Sequence, residues 1–452
     1  MDANEAPDID RLYQECDPGK ALPPGDLRYV SFSDFGDVRG DEDVVAQMAR
    51  AIRRSASGAP LHLLFAGHRG AGKSTELMRL QDALAHPPDG RPGYFVVYFE
   101  ADREDIDAND ADFPDILLAI IRQVGKALRE RAGEDLRPAR LTRFVDDLKA
   151  LMGSEVRFDE LEWDLKIAKL TATIRDSPSE RQTLRKALEP RVSSLIEAAN
   201  DLLAEATIRL KAKGFQDLVL IVDNLDRIIL RDVPGSPFNT HEQLFIHRGT
   251  QMTQIRCDTV YTLPISMVFS PRATQLTTVY KKNPLTLPMV KVVGHAGDDE
   301  TDNPDGMKAM RALVQKRLDA ARVSAETAFD SGDTLDYLCR MSGGHARNLL
   351  VLLCAACDRL DALPITRPIG ERAVREMRNA FERALDNPAY FDVLRAVNAS
   401  HKRPTGPFAE LLLYNLSILE YVDDSPCFFV NPAVRLIGDF LSPAPTQDNT
   451  AS

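Results

Sequence analysis

The sequence has little tryptophan, no long apolar run and no excess of positive charge. Its 452 residues include one Trp, and 56 Lys plus Arg stand against 68 Asp plus Glu, a formal net charge of −12. The main apolar stretches, such as 61–66 and 218–222, are far shorter than the roughly 20 residues that span a bilayer. The sequence therefore predicts no membrane association, and its acidic balance disfavours a general affinity for nucleic-acid backbone.

Disulfide and targeting signals are also missing. The six cysteines are scattered without framework spacing, and the pair Cys354 and Cys357 falls in an apolar helix pattern that is typical of core packing. The acidic N-terminus has no signal or transit pattern, so we expect a cytoplasmic protein.

Short apolar runs alternate with helix patterns over the first three hundred residues. The runs lie at 61–66, 94–99, 218–222 and 260–269. Strands that alternate with helices predict an α/β fold with a mostly parallel sheet, covered by helices on both faces.

One motif carries most of the functional information. Residues 67–74 read G-x-x-x-x-G-K-S/T, placed between the first predicted strand and a predicted helix over 73–84. Glycines let successive backbone N–H groups curl around phosphate oxygens, Lys73 reaches the terminal phosphates, and Ser74 offers a hydroxyl to Mg²⁺. The predicted nucleotide-binding residues are Gly67, His68, Arg69, Gly70, Ala71, Gly72, Lys73, Ser74 and Thr75.

A nucleotide site also needs an acid for its metal ion. The run 218–222 ends in Asp223, at the C-terminal tip of a predicted buried strand. This position fits a Walker B carboxylate that binds Mg²⁺ together with Ser74. The alternative is an Asp that only caps the following turn.

With these motifs the chain resembles the P-loop ATPases of the AAA+ and STAND groups, including origin-recognition ATPases. The run 223–227 is similar to their D-D-x-D Walker B, and 29–42 is similar to their F-x-G-R-E element, although Arg39 here precedes its glycine. The resemblance covers about 29–385, except an insertion over 102–214, and implies ATP as the nucleotide, with Arg39 bordering the adenine pocket.

The resemblance also implies catalytic roles, one of them with a departure. Asn224 stands where many such ATPases carry a Glu that activates water, so Asp226 is our candidate for positioning water; its alternative role is a salt bridge with Arg227. If neither serves, hydrolysis should be slow.

Two further arginines match sensor positions of that family. Arg272, or Ser270 beside it, follows the predicted strand 260–269 and would sense the γ-phosphate, unless Arg272 is merely a solvated residue at a helix start. Arg347 begins a helix in the region similar to sensor 2 and would swing over the phosphates. Arg248 and Arg256 are our candidates for an arginine finger that assists hydrolysis in a neighbouring subunit.

The end of the chain is similar to the winged helix that follows the lid in such proteins. Its predicted elements are a helix over 408–419, a strand over 427–430 and a closing helix over 432–441. From residue 390 onward, 4 Lys plus Arg face 7 Asp plus Glu, so protein contact is favoured over DNA binding.

The predicted architecture is a P-loop NTPase sheet with a helical insertion, an all-helical lid and a winged-helix-like end. The predicted boundaries are a loosely packed N-terminal arm over 1–30, the ATPase core over 31–296, the lid over 306–388, the winged-helix-like domain over 390–442 and a disordered tail over 443–452. Within the insertion, Asp112 and Pro114 are expected to start a helix. The alternating residues 161–167 favour a strand or hairpin.

Three functions agree with this organisation. The first is an ATP-hydrolysing switch that controls homo-oligomerisation or binding to a separately encoded effector, in the manner of bacterial defence or stress proteins. The second is an origin-recognition-like DNA-binding ATPase. The third is a nucleotide-dependent scaffold that does not hydrolyse ATP, which Asn224 favours.

Overall fold

The computed structural model describes residues 8–55, 59–136, 139–144, 163–296, 299–423 and 425–441. The chain forms two compact units that do not follow its linear order. The sheet unit comprises Val44–Ala66 and Glu76–Thr286, and the helical unit comprises Met1–Asp43, Gly67–Thr75 and Leu287–Ser452. The glycine-rich loop therefore groups with the C-terminal half of the chain. The proposed tail, 443–452, lies outside the described residues.

The sheet unit is built on five strands in the order β2-β3-β4-β1-β5. Their bounds are β1 His62–Gly67, β2 Phe95–Glu100, β3 Leu218–Asp223, β4 Asp258–Pro264 and β5 Leu285–Leu287. Strand β3 pairs in parallel with β2 on one side and with β4 on the other. All six residues of β3 are buried, as expected for a strand covered on both faces. The predicted α/β fold on a parallel sheet is confirmed.

Helices make up most of the rest of this unit. The α-helices are Val44–Arg53, Lys73–Ala85, which begins in the glycine-rich loop, Ala101–Glu104, Phe113–Ala127, Trp163–Asp176, Pro178–Leu188, Val192–Ala212, Thr240–Glu242, Gly249–Met252, Ile265–Val268 and Ala273–Tyr280. Short 3-10 or π segments occupy Leu128–Ala132, Glu189–Arg191, Leu225–Arg227 and Gln243–His247. The helix Phe113–Ala127 starts where the sequence predicts, because Asp112 accepts from the backbone N–H of Phe113 and forms a capping box with Asp115.

One predicted strand of this unit is wrong and another is predicted too long. The alternating segment is helical from Trp163 to Asp176, with Ile167, Leu170 and Thr171 buried at helical spacing; residues 161 and 162 lie outside the described part. The predicted strand 260–269 ends at Pro264 and continues as the helix Ile265–Val268. Proline has no N–H to donate to a neighbouring strand, and an apolar run alone does not reveal such a change of direction.

The helical unit packs the N-terminal residues into its own core. Leu12 and Cys16 are fully buried among lid residues such as Met310 and Leu349, and Arg11 Nε donates to the carbonyl oxygen of Ala321 at 2.9 Å. From residue 8 onward the expectation of a loosely packed arm is therefore wrong, because Ile9 and Leu12 form an apolar stripe on a short helix; residues 1–7 lie outside the described part. The six cysteines are free thiols, as predicted.

The helices of this unit confirm the predicted helical lid. They are Asp8–Glu15, Phe32–Phe35 (3-10), Pro304–Ala321, Ala325–Ala328, Gly332–Met341, Ala346–Cys357, Arg367–Ala384, Ala389–Ser400, Ala409–Tyr414, Val434–Leu436 (3-10) and Gly438–Leu441. Two antiparallel hairpins complete the unit: β6 Val293–Ala296 with β7 Asp299–Asp302, and β8 Ile418–Val422 with β9 Pro426–Val430. In the described ranges, no helix has the length and apolar character needed to cross a membrane.

The C-terminal hairpin corrects one boundary. The helix predicted over 408–419 ends at Tyr414, and residues 418–422 form strand β8 instead. Leu416 has a φ of +68°, a left-handed conformation that stops the helix. The closing helix predicted over 432–441 is two short pieces. This end of the chain thus consists of helices followed by a two-stranded hairpin and two short helical pieces, while its assignment as a winged helix stays a prediction.

Candidate functional site

The glycine-rich loop has the backbone of a phosphate-binding loop. It leaves strand β1 at Gly67 and enters the helix that begins at Lys73. Gly70 and Gly72 have φ angles of +85° and +106°, which side-chain-bearing residues rarely adopt. A Cβ at Gly72 would meet no atom within 4 Å, so there is open space beside the loop. This strand–loop–helix arrangement is the one the motif predicts.

Lys73 is held inside this loop. Its side chain is buried, and Nζ donates to the carbonyl oxygens of Gly67 at 2.7 Å and His68 at 2.9 Å. These carbonyls keep the ammonium group at the loop, where phosphate oxygens are expected. Ser74 follows at the second helical position and is half-buried, while Arg69 is exposed with its guanidinium 5.8 Å from the ring of Tyr414.

Residues from the N-terminal segment of the helical unit support the loop. Arg39 donates from Nη2 to the carbonyl oxygen of Ala71 at 2.7 Å, and its guanidinium lies 4.4 Å from the ring of Phe32. Leu22 donates its backbone N–H to Thr75 Oγ1 at 3.1 Å. The structure thus brings Arg39 to the glycine-rich loop, while its role beside an adenine stays a prediction.

Lid residues contact the same loop. His345 Nδ1 accepts from the backbone N–H of Asn348 at 3.0 Å, so Nε2 carries the proton and donates to the carbonyl oxygen of Arg69 at 2.7 Å. A Cβ placed on Gly70 would come within 2.8 Å of both Arg347 Cβ and His345 Cε1. Arg347 therefore lies directly against the loop, and its Nε donates to the carbonyl oxygen of Pro18 at 3.1 Å.

Sequence reasoning missed His345 and the part played by His68. Burial lowers the pKa of each to about 3, so both rings are neutral at physiological pH. His68 Nε2 accepts from the backbone N–H of Glu420, in strand β8, at 2.9 Å. The position of His345 before a helix was a weak signal, because histidine is not among the usual N-cap residues.

Glu420 is an unusual neighbour of the loop. Its side chain is 1% exposed, and Oε2 has no hydrogen-bond partner among the described residues. Burial raises the pKa of this carboxyl to about 8. At neutral pH the protonated form therefore prevails, and the residue whose backbone N–H contacts His68 carries a neutral acid side chain.

The Walker B acid is built in the sheet unit. Asp223 ends strand β3 and is 1% exposed; Oδ2 accepts from the hydroxyl of Tyr98 at 2.9 Å, and Oδ1 accepts from the backbone N–H of Asn224 at 2.6 Å. Glu100 of strand β2 lies opposite Asp223 in the register. Tyr98 was not predicted, because a half-buried tyrosine within a strand gives no signal of its own.

Asn224 has a defined structural partner. It adopts a left-handed conformation with φ +66°, and its Nδ2 donates to Asp102 Oδ1 at 2.7 Å. Arg227 also pairs with Asp102, at 3.2 Å, so this arginine has a carboxylate partner other than Asp226. Asp226 is 4% exposed in the 3-10 turn that follows β3. Its role in positioning water stays a prediction.

Two further predicted arginines, Arg272 and Arg248, form hydrogen bonds or ion pairs with other residues of the sheet unit. Arg272 Nη1 donates to Glu242 Oε2 at 2.7 Å and to the carbonyl oxygen of Pro237 at 3.0 Å. Because β4 ends at Pro264, Arg272 does not directly follow a strand as the sensor prediction requires. Arg248 pairs with Asp112 at 2.9 Å and Glu189 at 2.8 Å, which weighs against a role as an arginine finger.

Comparisons with known proteins add distant similarities only. No family model matches the chain, and no curated protein matches it. The chain is similar to one in a structure of Drosophila ORC bound to DNA, with 12% identity, 95% of this chain and 90% of that chain covered, and a TM-score of 0.39. It is also similar to a Walker-type ATPase of Pyrococcus abyssi, with 11% identity, 87% of this chain and 94% of that chain covered, and a TM-score of 0.40. A third similar structure is that of Cdc6p from Pyrobaculum aerophilum, with 12% identity, 91% of this chain and 97% of that chain covered, and a TM-score of 0.37.

TM-scores this low do not establish a common fold, so the assignment rests on the chain itself. A parallel sheet, a glycine-rich loop between β1 and the next helix, and an acid at the end of β3 define the fold of a P-loop NTPase. The resemblance to P-loop ATPases is confirmed at this level of the fold.

Proposed function

We propose that this protein is an ATP-binding and ATP-hydrolysing molecular switch, whose nucleotide state controls oligomerisation or partner binding. The observation that carries the proposal is the glycine-rich loop, with Lys73 held at its helix start and Arg347 of the lid against Gly70. A loop that binds phosphates and also contacts a lid gives bound nucleotide a direct means of changing the lid's position.

The residues present fit MgATP. The backbone N–H groups of the loop would cradle the phosphates, and Lys73 would neutralise the terminal ones. The Ser74 hydroxyl and the Asp223 carboxylate are the kind of oxygen ligand that Mg²⁺ prefers. When bound, the metal ion would neutralise charge on the transferred phosphoryl group. Asp226 would orient the attacking water, and Arg347 would stabilise phosphate charge. Arg272 is bonded to Glu242 within the sheet unit, which favours a structural role over sensing of the γ-phosphate.

The partners of the switch are further proposals. A second copy of this chain and a separately encoded effector protein are the preferred ones, in a bacterial defence or stress system. A DNA-binding role is disfavoured, because the segment from residue 390 onward carries more acidic than basic side chains.

A scaffold that binds but does not hydrolyse ATP is the second candidate. Asn224 favours it, because an amide cannot take a proton from water and this one is bonded to Asp102. Bound nucleotide with negligible turnover would identify this case.

The test compares wild-type protein with Lys73→Ala and, as a matched control, Lys316→Ala, which changes an exposed lysine of a lid helix. Isothermal titration should give tight MgATP binding for wild type and the control, and at least a hundredfold weaker binding for Lys73→Ala. Circular dichroism establishes that the variant is folded. Unchanged affinity in a folded Lys73→Ala would refute nucleotide binding by this loop.

The switch itself is tested by light scattering on a sizing column. Wild type with Mg-ADP should run at the 50.2 kDa of one chain, and with a non-hydrolysable ATP analogue at a higher mass. A single-chain mass in both states would exclude control of homo-oligomerisation and leave a separate partner as the target.

A further inference from the structure

The sheet unit contains a large cavity that the proposed function does not use. Its volume is about 720 Å³, and it opens at the amino ends of β2, β3 and β4, where Tyr94, Leu218 and Asp258 lie. Asp223 lies at the other end of β3, about 17 Å from Leu218 along a strand of six residues. The cavity is therefore separate from the Walker B acid, and its volume is in the range of sites for small organic ligands.

Each of the three carboxylates that line this cavity has a hydrogen-bond or ion-pair partner. Asp258 accepts from the Ser55 hydroxyl at 2.6 Å and from the backbone N–H of Leu61 at 2.8 Å. Asp217 pairs with Lys211 at 2.8 Å. Glu197 lies 3.5 Å from the guanidinium of Arg140, which also pairs with Asp201 at 3.2 Å. Asp217 and Glu197 thus have cationic partners, whereas both donors to Asp258 are neutral.

Two arginines on the wall lack such partners. Arg53 donates from Nη2 to the carbonyl oxygen of Ala83 at 2.9 Å, which satisfies one N–H group without neutralising the charge. Arg256 is exposed, and only its backbone is fixed, by a hydrogen bond from its N–H to Asn200 Oδ1 at 2.7 Å. Across the described ranges, neither guanidinium has a carboxylate within ion-pair distance. Both guanidinium groups therefore keep N–H donors that are available to a ligand.

Neutral donors accompany the two charges. The half-buried phenol of Tyr94 makes no hydrogen bond within the part of the chain that the structure covers, and Gln216 adds an amide to the same wall. Asn200 is 4% exposed, and its side-chain amide bonds to the backbone of residues 254–256. Its Oδ1 accepts from Arg256, and its Nδ2 donates to the carbonyl oxygen of Gln254 at 2.9 Å. Arg256 is thus placed on a fixed backbone with a free side chain.

We propose that this cavity is a second ligand site, which binds a small organic anion through Arg53 and Arg256. Guanidinium groups form paired hydrogen bonds with carboxylate and phosphate oxygens, so the ligand carries one of these groups. The Tyr94 hydroxyl and the Gln216 amide bind polar groups on the rest of the ligand. The site is independent of nucleotide binding at the glycine-rich loop.

The first test is chemical modification of wild-type protein by phenylglyoxal, with peptide mass spectrometry. Succinate and ribose 5-phosphate serve as the carboxylate and phosphate probes. At least one probe should slow the labelling of Arg256 and Arg53 at least fivefold, while the exposed Arg372 of a lid helix is labelled at an unchanged rate. Because labelling is read residue by residue, phosphate binding at the glycine-rich loop does not affect the result.

The second test is titration calorimetry with the protecting probe on three variants. Binding should be at least tenfold weaker for Arg256→Ala, severalfold weaker for Tyr94→Phe, and unchanged for the control Arg372→Ala. Tyr94→Phe removes one hydroxyl only and is expected to fold normally. The proposal is overturned if neither probe protects Arg256, or if Arg256→Ala binds as tightly as wild type.

Discussion

The imidazole of His345 donates from Nε2 to the carbonyl oxygen of Arg69 at 2.7 Å, across 276 residues of sequence. The same ring caps the helix Ala346–Cys357 by accepting from the backbone N–H of Asn348. One side chain therefore joins the start of a lid helix to the backbone of the glycine-rich loop. A change in the loop's conformation on phosphate binding would be transmitted to this helix.

His345→Ala should lower the free energy of unfolding by about 2 to 3 kcal/mol, because it removes a cap and a buried hydrogen bond. Ser331→Ala is the control, since Ser331 caps another lid helix; it should cost about 1 kcal/mol. Urea unfolding measures both. MgATP affinity should fall in His345→Ala only, and equal affinities in the two variants would contradict the coupling.

Gly70→Ala tests the close approach of the lid. The new methyl group would lie 2.8 Å from both Arg347 Cβ and His345 Cε1, at a φ of +85°. We expect a loss of about 2 to 4 kcal/mol in unfolding free energy. Gly406→Ala is matched, since it has a φ of +94° with nothing within 4 Å; it should cost about 1 kcal/mol. Equal losses would mean that the loop and lid do not touch in solution.

Asp226→Asn tests the proposed water-positioning residue. The amide cannot accept a proton, so kcat for ATP hydrolysis should fall by about a hundredfold or more. MgATP affinity should be unchanged, because Asp226 is not a proposed phosphate or metal ligand. Steady-state phosphate release measures kcat, with Asp232→Asn, an exposed acid nearby, as control. Normal turnover in Asp226→Asn would exclude it as the base.

The buried carboxyl of Glu420 predicts a pH dependence of stability. Its pKa is raised from 4.5 to about 8 in the folded protein, so the folded state holds the proton more tightly than the unfolded state. The contribution of this carboxyl group to the free energy of unfolding is fully present below pH 4.5 and is lost as the pH rises through about 8. Glu420→Gln should therefore gain stability relative to wild type, by up to a few kcal/mol at pH 8 and little at pH 4.5.

Unfolding curves of wild type and Glu420→Gln at several pH values measure this difference. The two buried histidines act in the opposite direction. The pKa values of His68 and His345 are lowered to about 3, so their contribution is present above pH 6.5 and is lost as the pH falls towards 3. Since both variants retain these histidines, their effect cancels. A stability difference that does not change with pH would contradict the raised pKa of Glu420.

The sequence by itself determined the parts of this protein that depend on neighbouring residues. The P-loop motif, the strand before it, the helix after it and the acid at the end of β3 are each encoded within about ten residues. The same holds for the capped helix at Phe113, where Asp112 and Pro114 are local signals. Such patterns act through backbone conformation and burial periodicity, so they can be read without the rest of the chain.

Only the tertiary structure decided which distant residues meet at the glycine-rich loop. Glu420 and His68 are 352 positions apart, and the neutral state of each depends on burial by other elements. The helix at Trp163 and the end of β4 at Pro264 likewise follow from packing rather than from alternation or apolar runs. Contacts between residues far apart in sequence leave no periodic signal, because either partner alone is compatible with many surroundings.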